Sequence, residues 1–251
     1  AEAFPDAQLD ILSGTSAGAI NAAHLGNFQG TLGAAVEKLC DVWCRINAEK
    51  VYEAHSGRHL ARELARMTAG FGADEPLRAL VETERLDAFL REQFDAPDGM
   101  LTGVAKNLDA GRLRALAIAT TNYGTGQNVT WVQGREIEKW QRPNRVGVTC
   151  ELTVQHIMAS TALPFFFPAV ALDGAWHGDG GIRQAAPLSP AIHLGATRVL
   201  AISTRYDRSR READVPIVTG YPSVGQIMGV LMNAVFLDVL DQDLDRFARF
   251  N

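Results

Sequence analysis

Cysteine is scarce: Cys40, Cys44 and Cys150 are the only three in 251 residues. Three thiols make no disulfide framework, and low cysteine use fits a reducing compartment. Cys40 and Cys44 stand four apart in a helical pattern and so share a face. No nearby histidine completes a metal-ligand set, and the two are expected to be buried core thiols. Long apolar runs are also missing, and no stretch is long enough to span a bilayer as a helix. Positive charge is not in surplus. The 24 Lys and Arg stand against 29 Asp and Glu, a net charge of −5. That balance argues against nucleic acid as the main partner and gives no general attraction to anionic lipid. The one basic cluster, Arg205, Arg208, Arg210 and Arg211, is flanked by Asp207, Glu212 and Asp214 and reads as a solvated loop. There is no internal repeat and no long Pro/Ser linker. With 47% hydrophobic residues, the chain suits a single α/β domain over 1–251 with a sizeable core.

What is present is an alternation of short apolar runs with helical patterns. Leu9–Leu12 reads as a strand, and residues 17–46 as two helices broken near Asn27-Phe28-Gln29-Gly30. Residues 47–100 are charge-rich and mainly helical, with a break at Ala69–Gly72, and form either a lid or plain sheet-covering helices. Arg114–Thr121 and Thr197–Ser203 read as buried parallel strands, Asn128–Gln133 as a hairpin partner, and Val154–Ser160 as a helix starting near Thr149 or Thr153. Val224–Phe250 reads as a long amphipathic helix with Leu231, Val235, Leu240, Leu244 and Phe247 on its apolar face. The expected fold is a three-layer α/β/α sandwich around a mostly parallel sheet.

The most informative stretch is Gly14-Thr15-Ser16-Ala17-Gly18, between the first strand and an alanine-rich helix. A strand-to-helix turn this sharp needs small residues around the serine, because a Cβ there would meet strand or helix backbone. It lifts the Ser16 hydroxyl out of the sheet, with the first free N–H groups of the helix, Ala17 foremost, beside it. This is a nucleophile elbow and points to acyl transfer. The bland alternative is a glycine-rich turn in which Ser16 caps the helix.

Serine needs a base. His24 lies too far along the elbow helix, His55 and His59 fall in a polar stretch, and His156 and His193 sit within helical patterns. His177 has a suggestive setting, Trp176-His177-Gly178-Asp179-Gly180-Gly181, but Asp179 is the stronger candidate. It follows the apolar run Val170-Ala171-Leu172 and a turn at Asp173-Gly174, and two glycines let its backbone approach another element closely. An ordinary aspartate is a poor base in water, and an apolar wall would strengthen it by desolvation. Phe165, Phe166, Phe167 and Trp176 are candidates for that wall. The three phenylalanines are also candidates for an acyl-chain groove or an interface-facing lip, with plain core packing as the alternative. Asp-Gly-Gly by itself also reads as a solvated turn.

Together these motifs resemble the patatin-like phospholipase family. The elbow at Gly14 and Gly18 and the later Asp179-Gly180-Gly181 carry the resemblance. Ala159-Ser160-Thr161-Ala162-Leu163-Pro164, ending in Phe167-Pro168, is similar to the segment before the family's aspartate, and Pro187-Leu188 to the run after it. The resemblance covers most of residues 8–204. It implies a lipid acyl hydrolase, a serine carboxylic ester hydrolase with Ser16 as nucleophile, Asp179 as base and an acyl-enzyme intermediate, needing no cofactor or metal. It implies a lipid or phospholipid substrate met at a membrane surface, and a cytoplasmic or peripheral membrane location. The family's Gly-rich oxyanion loop is not found ahead of Ser16, so the parent protein is expected to begin further upstream and also to continue past Asn251. This chain alone is then expected to be poorly active. Two other readings keep the same residues. One pairs Ser16 with His177 or His193 as a Ser-His-Asp hydrolase or Ser-His acyltransferase. The other is a non-catalytic scaffold using Val224–Phe250 as a contact face.

Overall fold

The computed structural model describes residues 8–46, 79, 81–138, 140–184, 188–202, 209–213, 221, 223, 226, 227 and 229–231. The chain divides into two compact units, Ala1–Arg183 and Gln184–Asn251. The first contains every strand of the sheet among the described residues.

Seven strands make that sheet: β1 (Ile11–Gly14), β2 (Ala115–Asn122), β3 (Asn128–Gly134), β4 (Gln141–Arg142), β5 (Arg145–Thr149), β6 (Val170–Leu172) and β7 (Ala175–Asp179). They run in the order β4-β5-β3-β2-β7-β6, with β1 also on β2. Among the described residues only β1/β2 and β3/β5 are parallel. The pairs β2/β3, β2/β7, β4/β5 and β6/β7 are antiparallel, so the sheet is mixed and the expected mostly parallel sheet is corrected. The misreading has a simple cause. β2 is buried on both faces over Ala115–Thr121, which is the pattern of a parallel strand, but burial by helices on an antiparallel strand leaves the same pattern. The architecture is nevertheless α/β.

A side-chain cap sets one helix start and the elbow another. α1 (Ala17–Asn27) follows the elbow directly, and α2 (Leu32–Arg45) starts at Thr31, whose hydroxyl accepts the Ala34 N–H at 3.3 Å. α3 (Glu84–Gln93) and α4 (Thr102–Asp109) precede β2, and α5 (Val154–Ser160) precedes the β6–β7 hairpin. Asp173 and Gly174, both at positive φ, close that hairpin with the backbone that suits a two-residue turn. The core joins Ala19, Ile20 and Ala23 of α1 to Leu116 and Ile118 of β2 and Val154 and Ile157 of α5.

Two expectations fail on burial. Cys40 and Cys44 are exposed: α2 buries Ala35 and Val42, and the thiols lie off that face. The run Val199-Leu200-Ala201-Ile202 forms no strand, and Leu200 and Ile202 are 80% and 82% exposed. It finds no partner strand among the described residues, and an apolar run without one cannot satisfy its backbone as sheet. The second unit otherwise contributes α6 (Ser189–His193) and α7 (Arg210–Ala213). His55, His59, most of the 47–80 block, Arg205, Arg208 and nearly all of the Val224–Phe250 helix lie outside the described residues, although Gln226, Ile227 and Gly229–Leu231 are helical.

Candidate active site

One edge of β2 is shared by two strands. β1 runs parallel along its first half, ending with Gly14 opposite Ile118. β7 runs antiparallel along its second half, ending with Asp179 opposite Thr120. The two strands therefore converge end to end, with Ala119 opposite the gap. Ser16 follows one strand end and Asp179 closes the other, so a register set far from the turn brings the two residues together.

Ser16 holds φ 54° and ψ −129°, a backbone conformation that costs a non-glycine residue on the order of 1–3 kcal/mol. Its side chain makes no capping bond to α1, so the capping role is not observed. Gly18 and Ala19 close turns onto the Thr15 and Ser16 carbonyls, each at 2.8 Å, and the Ala17 N–H stands outside those two bonds at the first helical position. Gly14 is needed sterically, because a Cβ there would collide with the Gly18 carbonyl. Gly18 is not: its Cβ direction is open, so the close-packing argument holds on one side of the serine only.

Asp179 is fully buried. Its N–H donates to the Ala162 carbonyl at 2.9 Å, and the Thr121 hydroxyl donates to its carbonyl at 2.8 Å. Gly180 has no room for a Cβ against the Ala119 carbonyl, and its own carbonyl accepts from the Asn128 amide at 3.2 Å. The Gly181 N–H donates to Asp179 Oδ1 at 2.8 Å, so the Asp-Gly-Gly segment is a buried cap of a 3-10 turn and not a solvated loop. Burial drives the carboxyl pKa up to about 6, and hydrogen bonding from the Ser16 hydroxyl and the Gly181 N–H pulls it back. Ser16 is thus near enough to bear on the carboxyl's pKa, while Asp179 Oδ2 has no hydrogen-bond partner.

The aromatic wall is not where it was expected. Phe165 and Phe166 are 59% and 41% exposed, Trp176 is exposed as well, and Phe167 is partly buried. Asp179 is enclosed instead by β2 and the turn at Ala162. Phe165 and Phe166 do not pack in the core; Phe165 holds φ 68° three residues beyond Ala162. Tyr123 was not anticipated. Its hydroxyl lies over Gly178, next to Asp179, and burial together with the Asp179 charge raises its pKa. The available signal was its place at the carboxyl end of a buried strand, where α/β sheets bind ligands.

The histidines are engaged elsewhere. His177 Nδ1 pairs with the Thr120 hydroxyl at 3.0 Å, and the Trp131 indole N–H donates to the same oxygen at 2.8 Å. Burial lowers the His177 pKa, opposed by Asp173. His156 Nδ1 accepts the Thr153 N–H at 3.1 Å, and burial lowers its pKa to about 4. Its neighbour Cys150 is pushed up to about 12, chiefly by burial, so that pair is a neutral thiol beside a neutral imidazole. His24 is buried on the Ala35 carbonyl at 3.1 Å, and His193 is exposed in the second unit.

The family model described as patatin-like phospholipase matches residues 5–192, which includes Ser16 and Asp179. No curated protein matched the sequence.

Proposed function

Because this chain belongs to the patatin-like phospholipase family, with lipid acyl hydrolysis as its general activity, we propose that it cleaves acyl esters with Ser16 as nucleophile and Asp179 as the base that serves it. The observation that carries this reading is the end-to-end convergence of β1 and β7 on β2, which sets the Ser16 hydroxyl against a fully buried carboxyl.

In the proposed sequence Asp179 takes the Ser16 proton as Oγ attacks the ester carbonyl. The Ala17 N–H donates to the oxyanion, and collapse expels the alcohol, which takes the proton from Asp179. Asp179 then deprotonates a water that attacks the acyl-enzyme, and the proton passes back to Ser16 as the carboxylic acid leaves. A base with a pKa of about 6 is ionised at neutral pH yet basic enough to assist. The engagement of His177 with Thr120 supports Asp179 over a histidine as base.

Phe165 and Phe166 are the residues proposed to meet the acyl chain or lipid surface, since they follow within a few residues the turn that holds Asp179. With a net charge of −5, contact of that kind depends on apolar surface and not on attraction to anionic headgroups. The test is hydrolysis of a medium-chain chromogenic ester by the full-length protein. Ser16→Ala and Asp179→Asn should each lower kcat by roughly 10²-fold or more, and a fluorophosphonate probe should label Ser16. Full activity in either variant defeats the dyad.

A further inference from the structure

The Ala119 carbonyl of β2 lies where β1 and β7 meet, beside the Gly180 backbone that follows Asp179. It takes a hydrogen bond from outside the sheet. Ser160, the last residue of α5 and fully buried, donates its hydroxyl to Ala119 O at 2.7 Å. The same hydroxyl oxygen accepts the Ser16 N–H at 3.1 Å. A single side chain thus ties the fixed centre of the sheet to the backbone of a residue held at φ 54°. Two residues on, the Ala162 carbonyl takes the Asp179 N–H at 2.9 Å. The end of α5 and the turn after it therefore grip both members of the pair by their backbones.

We propose that Ser160 is a positioning residue for acyl transfer, its hydroxyl bridging the Ala119 carbonyl and the Ser16 N–H so that the Ser16 hydroxyl stays aimed at Asp179. This rests on the dyad reading above. Ser160 touches no reacting atom and acts through the Ser16 backbone. Without its hydroxyl, the Ser16 N–H and the Ala119 carbonyl both lose a buried partner, and the strained turn loses the bond opposing its relaxation.

The experiment compares wild type, Ser160→Ala and Ser160→Cys in the full-length protein. Steady-state kinetics are followed across pH, the Asp179 titration by carboxyl NMR, and folding by thermal melts. Cysteine keeps a similar volume and a weaker donor. In Ser160→Ala, kcat is expected to fall about tenfold or more with KM within about twofold, because a small misplacement of the nucleophile slows chemistry before it weakens binding. The Asp179 midpoint should also move upward from about 6, since the Ser16 hydroxyl that holds it down has turned away. Ser160→Cys should fall between the two, and carries the same measurements if the alanine variant does not fold. A kcat within twofold of wild type, or a loss of activity that follows the unfolded fraction while the Asp179 midpoint stays put, overturns the proposal. Asp179→Asn is run alongside. If it stays active, the dyad reading has failed on its own, and the Asp179 midpoint still decides whether Ser160 aims Ser16.

Discussion

Replacing Asp179 by Asn should make the protein more stable and less active at the same time, with a gain in stability that depends on pH. The carboxyl has a folded-state pKa of about 6 against an ordinary value of 3.8. A carboxyl raised on folding binds its proton more tightly in the folded state, so its contribution is most favourable in acid. Stability is then lost as pH rises from about 4 through about 6, and is level above that. About two pKa units at 1.36 kcal/mol each put the loss near ~3 kcal/mol. Asparagine keeps the shape, its oxygen can still accept the Gly181 N–H, and its amide can face the Ser16 hydroxyl without carrying charge. Denaturant melts of both proteins between pH 4 and 8.5 should agree at the acid end and diverge by about 3 kcal/mol at the alkaline end, with Asp179→Asn the more stable. That is roughly 6–12 °C in Tm for a chain of this size. The buried His24, His156 and His177 work in the opposite sense, costing stability as pH falls below their ordinary range, but they are common to both proteins and cancel in the difference. A stability difference that stays flat across this range, or a wild type that is the more stable at pH 8, refutes the argument that Asp179 is an ionised carboxylate held in a desolvating site.

Three further outcomes follow from the same geometry. Ser16→Gly should exceed Ser16→Ala in stability by about 1 kcal/mol in urea melts, because glycine holds φ 54° without strain, and both should be inactive if Ser16 is the nucleophile as proposed. Gly180→Ala should cost on the order of 3 kcal/mol or prevent folding, through collision with the Ala119 carbonyl, whereas Gly18→Ala should melt within about 1 kcal/mol of wild type because its Cβ enters open space. His177→Ala should lose about 2 kcal/mol or more of stability through its cavity and the lost bond to the Thr120 hydroxyl, which keeps the Trp131 indole as a partner, yet keep kcat per folded molecule within a few fold. A folded His177→Ala protein without turnover would transfer the base to histidine.

Local features of this fold are legible because they are local. The elbow at Gly14–Gly18, the helix Val154–Ser160 and the Asp173-Gly174 turn each follow from neighbours in sequence, and the structure has them at those residues. Residue types mark Asp179 as a candidate beside Ser16, through the apolar run and glycines around the carboxylate, but Asp-Gly-Gly alone also reads as a solvated turn, and the pairing rests on the family resemblance. The hairpin partner at Asn128–Gln133 is likewise legible, and β3 is antiparallel to β2. The direction of β7 beside β2 is not, because a run buried on both faces looks the same in a parallel or an antiparallel sheet. Exposure of Cys40 and Cys44 depends on which face of α2 meets the core, and α2 buries only Ala35 and Val42. Ser160 was visible only as part of a motif. Its task exists because β1 and β7 stop short of each other, and that vacancy is made by three segments far apart in the chain.

The head-on meeting of β1 and β7 also governs when the chemistry can begin. As the polypeptide emerges from the ribosome, β1 and β2 can pair early, since both precede β6 and β7 in the chain. On the proposed dyad the nucleophile then waits without its base until the β6–β7 hairpin docks and delivers the carboxylate. A translation product halted before Asp179 is then expected to lack esterase activity. Any hydrolysis of lipids would thereby be withheld from incomplete chains by the order of the strands alone.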